Sequence, residues 1–192
     1  MNSGQALRKV APGIDVESYL RGTIRTIPDY PKVGIQFRDV TTLIADAEAF
    51  ELTLATMEEE WTGQGITHVA GMEARGFIFG AALAPRLQAG FIPIRKPGKL
   101  PGKTLAEEYS LEYGTDRLEI HEDALGENHK VLIVDDLIAT GGTALAAVRL
   151  VQKLGAELAG AAFVIDLPDL GGADKLCALD LKVKSLVSFL GH

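Results

Sequence analysis

Val131-Leu-Ile-Val-Asp-Asp-Leu-Ile-Ala-Thr-Gly-Gly-Thr143 decides how the rest of the chain is read. Its apolar run predicts a buried strand over Lys130 to Asp135, with the carboxylates Asp135 and Asp136 at its C-terminal end. A turn of small residues follows (Ala139, Thr140, Gly141, Gly142, Thr143), then an alanine-rich helix that runs to Leu154 and stops near Gly155. In open parallel sheets, ligands bind at the carboxyl ends of strands. Glycines let the backbone turn and approach a ligand closely. Free N–H groups at a helix N-terminus hold an anion, and the two threonine hydroxyls add donors. Carboxylates beside an anion site repel it unless they accept hydrogen bonds from sugar hydroxyls or help to hold a bridging cation. A phosphorylated sugar satisfies both halves at once. An isolated Asp-Asp pair reads equally well as an acidic strand end before an ordinary helix cap, and only the whole pattern displaces that reading.

Outward from this segment, strands and helices alternate. Ile66 to Gly71 and Phe91 to Ile94 read as strands on either side of an alanine-rich helix, Phe77 to Leu87, in which Pro85 falls near the end. Pro93 lacks a backbone N–H and predicts an edge or a bulge. Leu158 to Ile165 and Leu181 to Ser188 read as further strands. Continuous apolar strands alternating with helices imply an α/β fold, a mostly parallel central sheet covered on both faces. Before it, Ile14, Val16, Tyr19, Leu20, Ile24 and Ile27 recur at helical spacing, with Asp15 as N-cap and Pro28 and Pro31 as stops. A second helix is predicted over Ala47 to Trp61, its buried stripe being Phe50, Leu54, Met57 and Trp61. The expected organisation is one domain over 1–192, with a small N-terminal hood over roughly 1–40.

The segment Arg95 to Leu105 breaks the alternation. It is rich in glycine, proline and lysine and reads as a long mobile loop. Tyr109 to Gly114 and Arg117 to His121 alternate with period two around Gly114-Thr-Asp116, which predicts a hairpin. Together, 95–114 is expected to be a flexible loop and hairpin.

Composition bounds the function. The chain has 192 residues, 47% hydrophobic and 23% charged, the balance of a globular protein with a substantial core. Its net charge of -7 gives no electrostatic help toward nucleic acid. A lone cysteine, Cys177, rules out an intrachain disulfide and argues against a cysteine metal site. There is no secretory h-region and no apolar stretch of membrane-spanning length, so a cytoplasmic protein without membrane or nucleic-acid partners is expected. His68, His121, His129 and His192 show no ligand spacing.

Two other phosphate-loop readings fail on spacing. Gly102-Lys103-Thr104 resembles the end of a Walker A motif, but the earlier glycine that motif requires falls at Pro97. No G-x-G-x-x-G stands between a strand and a helix.

The Val131 to Thr143 segment closely resembles the signature of the type I phosphoribosyltransferases, which use 5-phospho-α-D-ribose 1-diphosphate. The resemblance implies that Asp135 and Asp136 bind the ribose hydroxyls and that Ala139 to Thr143 bind the 5-phosphate. Ala139 stands where 6-oxopurine enzymes usually carry an acid, and orotate enzymes have a different turn. The likeness to the adenine-using members extends over nearly the whole chain.

Three further segments carry it. Gly71-Met-Glu-Ala-Arg-Gly-Phe-Ile-Phe-Gly80 opens a helix at a strand end, and a guanidinium pairs bidentately with phosphate oxygens. By resemblance, Glu73, Ala74, Arg75 and Gly76 form the diphosphate loop, although Ala74 replaces the usual serine and its hydroxyl. Pro31 to Asp39 resembles the base-binding segment: Phe37 would stack on the purine while backbone groups of Gln36 and Arg38 read its edge. The basic stretch with Arg95, Lys96, Lys99 and Lys103 reads as a solvated charge run or as a lid over an anionic substrate. The resemblance favours the lid, with Arg95, Lys96 and Lys99 on the diphosphate and Glu112 and Tyr113 as the catalytic-loop pair.

The implied activity is that of a glycosyltransferase making adenosine monophosphate (AMP) and diphosphate from adenine and the diphosphate sugar. Glu112 and Arg75 are the expected catalytic residues. Mg²⁺ is expected to be held mainly through substrate and water, with no direct protein ligand. A homodimer is expected, in which Arg95 reaches the partner's diphosphate. A transcriptional regulator sensing the same ligand is one rival, but the chain before Phe37 is too short and too weakly basic for a DNA-binding domain. A transferase for another purine is the second.

Overall fold

The computed structural model describes residues 15–110 and 114–191. Glu112, Tyr113 and His192 lie outside the described residues. Five strands form one parallel sheet in the order β4-β3-β7-β8-β9: β3 His68–Met72, β4 Gly90–Ile94, β7 Lys130–Ile138, β8 Glu157–Asp166 and β9 Val183–Ser188. Helix α4 (Arg75–Arg86) crosses from β3 to β4, and α5 (Gly142–Lys153) from β7 to β8. The α/β parallel architecture expected from strand-helix alternation is therefore present.

The central strand explains why both faces are covered. Along β7, Leu132 and Val134 enter one core with Leu52, Met57 and Trp61 of α3 (Ala47–Trp61) and Phe79 and Leu83 of α4. Val131 and Ile133 enter the other, with Ala147, Leu150 and Val151 of α5. A strand buried on both sides needs no polar alternation. Truncating a side chain such as Leu132, which is fully buried, to alanine costs about 2–5 kcal/mol. Helix α3 has the predicted bounds because Asp46 accepts hydrogen bonds from the N–H groups of Glu48 (2.9 Å) and Ala49 (3.0 Å). Within its expected stripe Leu54, Met57 and Trp61 are buried, whereas Phe50 is only partly so. Pro93 sits on β4, an edge strand, where its missing N–H breaks no second ladder.

The first helix is shorter than its apolar spacing predicts. Helix α1 covers Val16–Thr23, and Arg25–Pro28 instead forms β1, antiparallel to β2 (Gln36–Asp39). Asp15 occupies the N-cap position, but its carboxylate takes the Ser18 hydroxyl at 2.6 Å and caps no backbone N–H. A short helix, α2 (Thr41–Ala45), follows. Asp39 joins these pieces. It accepts Arg25 Nε at 3.1 Å, Thr41 N at 3.0 Å and Thr41 Oγ1 at 2.7 Å, and pairs with Arg25 Nη2 as well. These bonds, led by Arg25, hold its carboxyl at a pKa of about 2.

The segment expected to be a loop from Arg95 to Leu105 ends earlier. Strand β5 starts at Thr104 and runs to Ser110, antiparallel to β6 (Thr115–His121), so Thr115 and Asp116, expected at the turn, are strand residues. The remaining loop is stitched down: Arg95 and Glu119 exchange backbone hydrogen bonds of 2.9 and 2.7 Å, and Gly98 N donates to Glu119 Oε2 at 3.1 Å. Glu107 on β5 pairs with Arg149 (3.1 Å) and Lys153 (2.6 Å) on α5. After β8, Gly171 and Gly172 open a short helix, α6 (Gly172–Cys177), that sequence patterning does not indicate.

Candidate active site

The sheet's carboxyl end brings four sequence-selected segments together. Strand β7 runs past both carboxylates to Ile138 before the chain turns through Ala139 and Thr140. Gly141 is the N-cap of α5 with φ +82°, a left-handed conformation that disfavours any side chain. The turn has a glycine floor. A Cβ on Gly141 would lie 3.0 Å from the Gly172 backbone, and one on Gly172 would lie 2.2 Å from the Ala139 carbonyl. Lys175 Nζ donates to the Thr140 carbonyl at 2.8 Å, which fixes the turn from below. The sequence offered one signal for this support, the Gly171-Gly172 pair, and its partner was not visible.

Arg75 opens α4 directly across from β7. Its Nε donates to Asp136 Oδ2 at 2.5 Å. Burial works against the guanidinium charge, but Asp136 and Asp135 outweigh it and raise its pKa. Asp136 is 5% exposed. Burial, reinforced by the neighbouring Asp136 charge, pushes the Asp135 carboxyl well above the usual carboxylate range. Gly76 makes the approach of α4 possible, since a Cβ there would lie 2.7 Å from Asp135 Oδ1 and 2.9 Å from the Val134 carbonyl. The Glu73–Ala74 peptide bond immediately before α4 is cis.

Arg75 also reaches the segment expected to bind the base, its guanidinium carbon lying 5.6 Å from the Phe37 ring centroid. Phe37 and Gln36 are on β2, and Tyr30 meets Phe37 edge-on at 5.2 Å. Arg38 turns elsewhere: Nη1 donates to Thr26 Oγ1 at 2.6 Å, and its guanidinium lies 4.4 Å from the Phe189 ring centroid.

The basic cluster is present, but each cation that the resemblance assigns to the diphosphate has a carboxylate partner. Glu73 accepts Arg95 Nε at 2.8 Å and Lys99 Nζ at 2.6 Å, and Lys96 Nζ donates to Asp116 Oδ2 at 2.8 Å. Burial works against the Glu73 charge, yet Lys99 and Arg95 prevail and hold its carboxyl below the usual range. The hydrogen bond to Asp116 raises Lys96. Tyr109, which sequence reasoning left as a strand residue, donates to Asp116 Oδ2 at 3.1 Å and hydrogen-bonds the Thr143 side chain. Burial pushes its phenol up. Strand β5 thereby touches the turn after β7.

His68 and His129 pack together, ring centroids 4.3 Å apart. No group of three or more metal-ligating side chains occurs among the described residues. No helix among them is long and apolar enough to cross a membrane.

Comparison with known proteins agrees with this geometry. The model of the phosphoribosyl transferase domain matches residues 43–187. An adenine phosphoribosyltransferase of Bradyrhizobium sp. is 58% identical over 173 residues, covering 90% of this chain and 97% of that protein. The crystal structure of adenine phosphoribosyltransferase from Thermoanaerobacter pseudethanolicus superposes with a TM-score of 0.86 at 48% identity, covering 90% of this chain and 99% of that one. The Saccharomyces cerevisiae enzyme, complexed with D-2,5-dideoxy-2,5-imino-altritol 1,6-bisphosphate and adenine, gives 0.82 at 38% identity, covering 89% and 98%. A carboxylate pair, a glycine-floored turn and an arginine that reaches Phe37 thus occur on a chain that belongs to the adenine phosphoribosyltransferases.

Proposed function

We propose that this site joins adenine to 5-phospho-α-D-ribose 1-diphosphate, releasing diphosphate and AMP. The observation that carries the residue roles is the Arg75 guanidinium, which touches both the Asp136 carboxylate and the face of Phe37. One side chain thereby spans the positions that sugar and base must share for a bond to form between them. The adenine bound by the yeast relative supports this choice of base.

The turn from Ala139 to Thr143 would take the 5-phosphate on the N-terminal N–H groups of α5. Asp135 and Asp136 would accept the ribose hydroxyls. Phe37 would stack on the purine while Gln36 and Arg38 backbone groups read its edge, and a mismatched base that leaves one of them unpaired loses about 1–3 kcal/mol. At ribose C1 the bond to diphosphate oxygen breaks and a bond to a purine ring nitrogen forms. Positive charge develops on the sugar as the diphosphate leaves. Arg75, Lys96, Lys99, Glu73 with its paired cations and the Ala74–Gly76 backbone form the proposed diphosphate pocket, where fixed charges offset the growing negative charge. Diphosphate oxygens would compete with Glu73 and Asp116 for Arg95, Lys99 and Lys96. Glu112, between β5 and β6 in sequence, is the proposed acceptor of the purine proton, with Tyr113 beside it in the catalytic loop.

Asp135 and Asp136 would help to hold Mg²⁺ through water, with the substrate supplying most of its oxygen ligands. Bound with the sugar diphosphate, the ion would supply charge neutralisation for the leaving group. We also propose a cytoplasmic homodimer in which Arg95 serves the partner's diphosphate.

The test is incubation with the diphosphate sugar, Mg²⁺ and each purine in turn. Nucleotide is expected from adenine. Product only from a 6-oxopurine overturns the choice of base, and product from none would favour a ligand-sensing role.

A further inference from the structure

Phe189 follows β9, far in sequence from every segment assigned to substrate, yet two guanidiniums converge on its ring. Arg38 Cζ lies 4.4 Å from the ring centroid and Arg21 Cζ 5.3 Å. Arg21 is on α1 and is itself held by Glu17 at 2.5 Å. The ring is fixed as well. Phe189 N donates to the Asp166 carbonyl at 3.0 Å, Gly191 N donates to Asp169 Oδ2 at 2.8 Å, and the side chain packs against the core that contains α1 and α3.

Arg38 depends on these contacts. Its Nε is buried with no hydrogen-bond partner, and burial lowers its pKa. Thr26 Oγ1 accepts from Nη1 at 2.6 Å, and the Phe189 ring lies against the guanidinium and supplies further orientation. A cation over an aromatic ring gains most where water is excluded, and an aliphatic side chain cannot replace the ring quadrupole. Arg38 stands next to Phe37, and its backbone is half of the pair that reads the base edge in the proposed function.

The geometry points to Phe189 as a positioning residue for the base: by holding the Arg38 side chain it sets the β2 backbone against adenine, without touching the substrate. This rests on the reading of Gln36 to Arg38 as the base-binding segment. It gives the chain after β9 a role in adenine affinity distinct from the sugar site proposed at Asp135, Asp136 and the turn to Thr143.

The experiment measures KM for adenine and for the diphosphate sugar separately, with kcat, in Phe189→Leu, Phe189→Tyr and Phe37→Ala. Phe189→Leu should raise the adenine KM roughly three- to ten-fold, with the sugar-diphosphate KM unchanged, and Phe189→Tyr should restore it. An unchanged adenine KM in Phe189→Leu overturns the inference. So does a rise shared equally by both substrates, or one that the tyrosine fails to reverse, because each describes loss of packing alone. Phe37→Ala separates the two readings: a raised adenine KM there with no effect at Phe189 removes only the positioning role. An unchanged value in Phe37→Ala removes the base-binding segment and the inference with it.

Discussion

Arg75 Nε lies 2.5 Å from Asp136 Oδ2, so the arginine read as a diphosphate ligand is first the partner of a carboxylate read as a ribose ligand. The two adjacent acids are thereby made unequal. Asp136 has a cation, and Asp135 has burial and a like charge beside it.

Asparagine substitutions should expose that inequality. Asp136→Asn removes the charge opposite Arg75 while keeping an acceptor; because Arg75 is 44% exposed, the stability cost should be modest, about 1–2 kcal/mol, with a raised KM for the diphosphate sugar. Asp135→Asn mimics the neutral acid. Its folded pKa is raised, so its favourable contribution is complete below about pH 4 and is lost as pH rises through the folded value. Thermal melts from pH 4 to 8 should show that decline in the parent protein and a flatter curve in Asp135→Asn.

Asp39 has the opposite sign. Its carboxyl is held at about 2, so its contribution is complete above about pH 4 and is lost as pH falls toward 2. Asp39→Asn should lose about 1–2 kcal/mol at pH 7 and show a shallower acid limb. Hydrogen exchange on Arg25 to Pro28 amides would report whether β1 loosens with it.

Gly172→Ala tests the floor beneath the phosphate turn. The new Cβ would meet the Ala139 carbonyl at 2.2 Å and Gly141 N at 2.7 Å, both backbone atoms that cannot swing aside. The variant should lose about 1–3 kcal/mol of stability and bind the diphosphate sugar more weakly than adenine. Equal KM values to the parent for both substrates would contradict the assigned turn.

Mixing two inactive proteins tests the proposed dimer. If Arg95 serves the partner's site, Arg95→Ala and Glu112→Ala lesions can fall in the same site of a mixed dimer, leaving its other site intact. Random exchange of equal amounts should then recover about a quarter of parental activity. No recovery after verified exchange means that Arg95 acts only within its own chain, where Glu73 already holds it.

Local patterning revealed much of this fold. Ala47 to Trp61 carried an apolar stripe, and the helix observed has those bounds with Leu54, Met57 and Trp61 buried. The strand over Val131 to Asp135 was legible because burial on two faces leaves a continuous apolar run. Pairing between distant segments was not. Ile24 and Ile27 continue the spacing of α1, but Arg25–Pro28 is taken by the Gln36–Asp39 strand instead. Prolines and lysines disguised the start of β5, whose order comes from Glu107 meeting Arg149 and Lys153 on another element. At the site, residue types point to anions, but no local pattern shows that Glu73 pairs with Arg95 and Lys99. Side chains that satisfy one another across the chain leave no periodic trace.

Helix α5 begins at the turn through Gly141, and Glu107 of β5 is pinned to its last two turns while Tyr109 reaches Thr143 in its first. The helix is about 18 Å long and rigid. It therefore acts as a common mount for β5 and the turn before it: a ligand seated in that turn and a movement of β5 would each be felt at the other through the same rod.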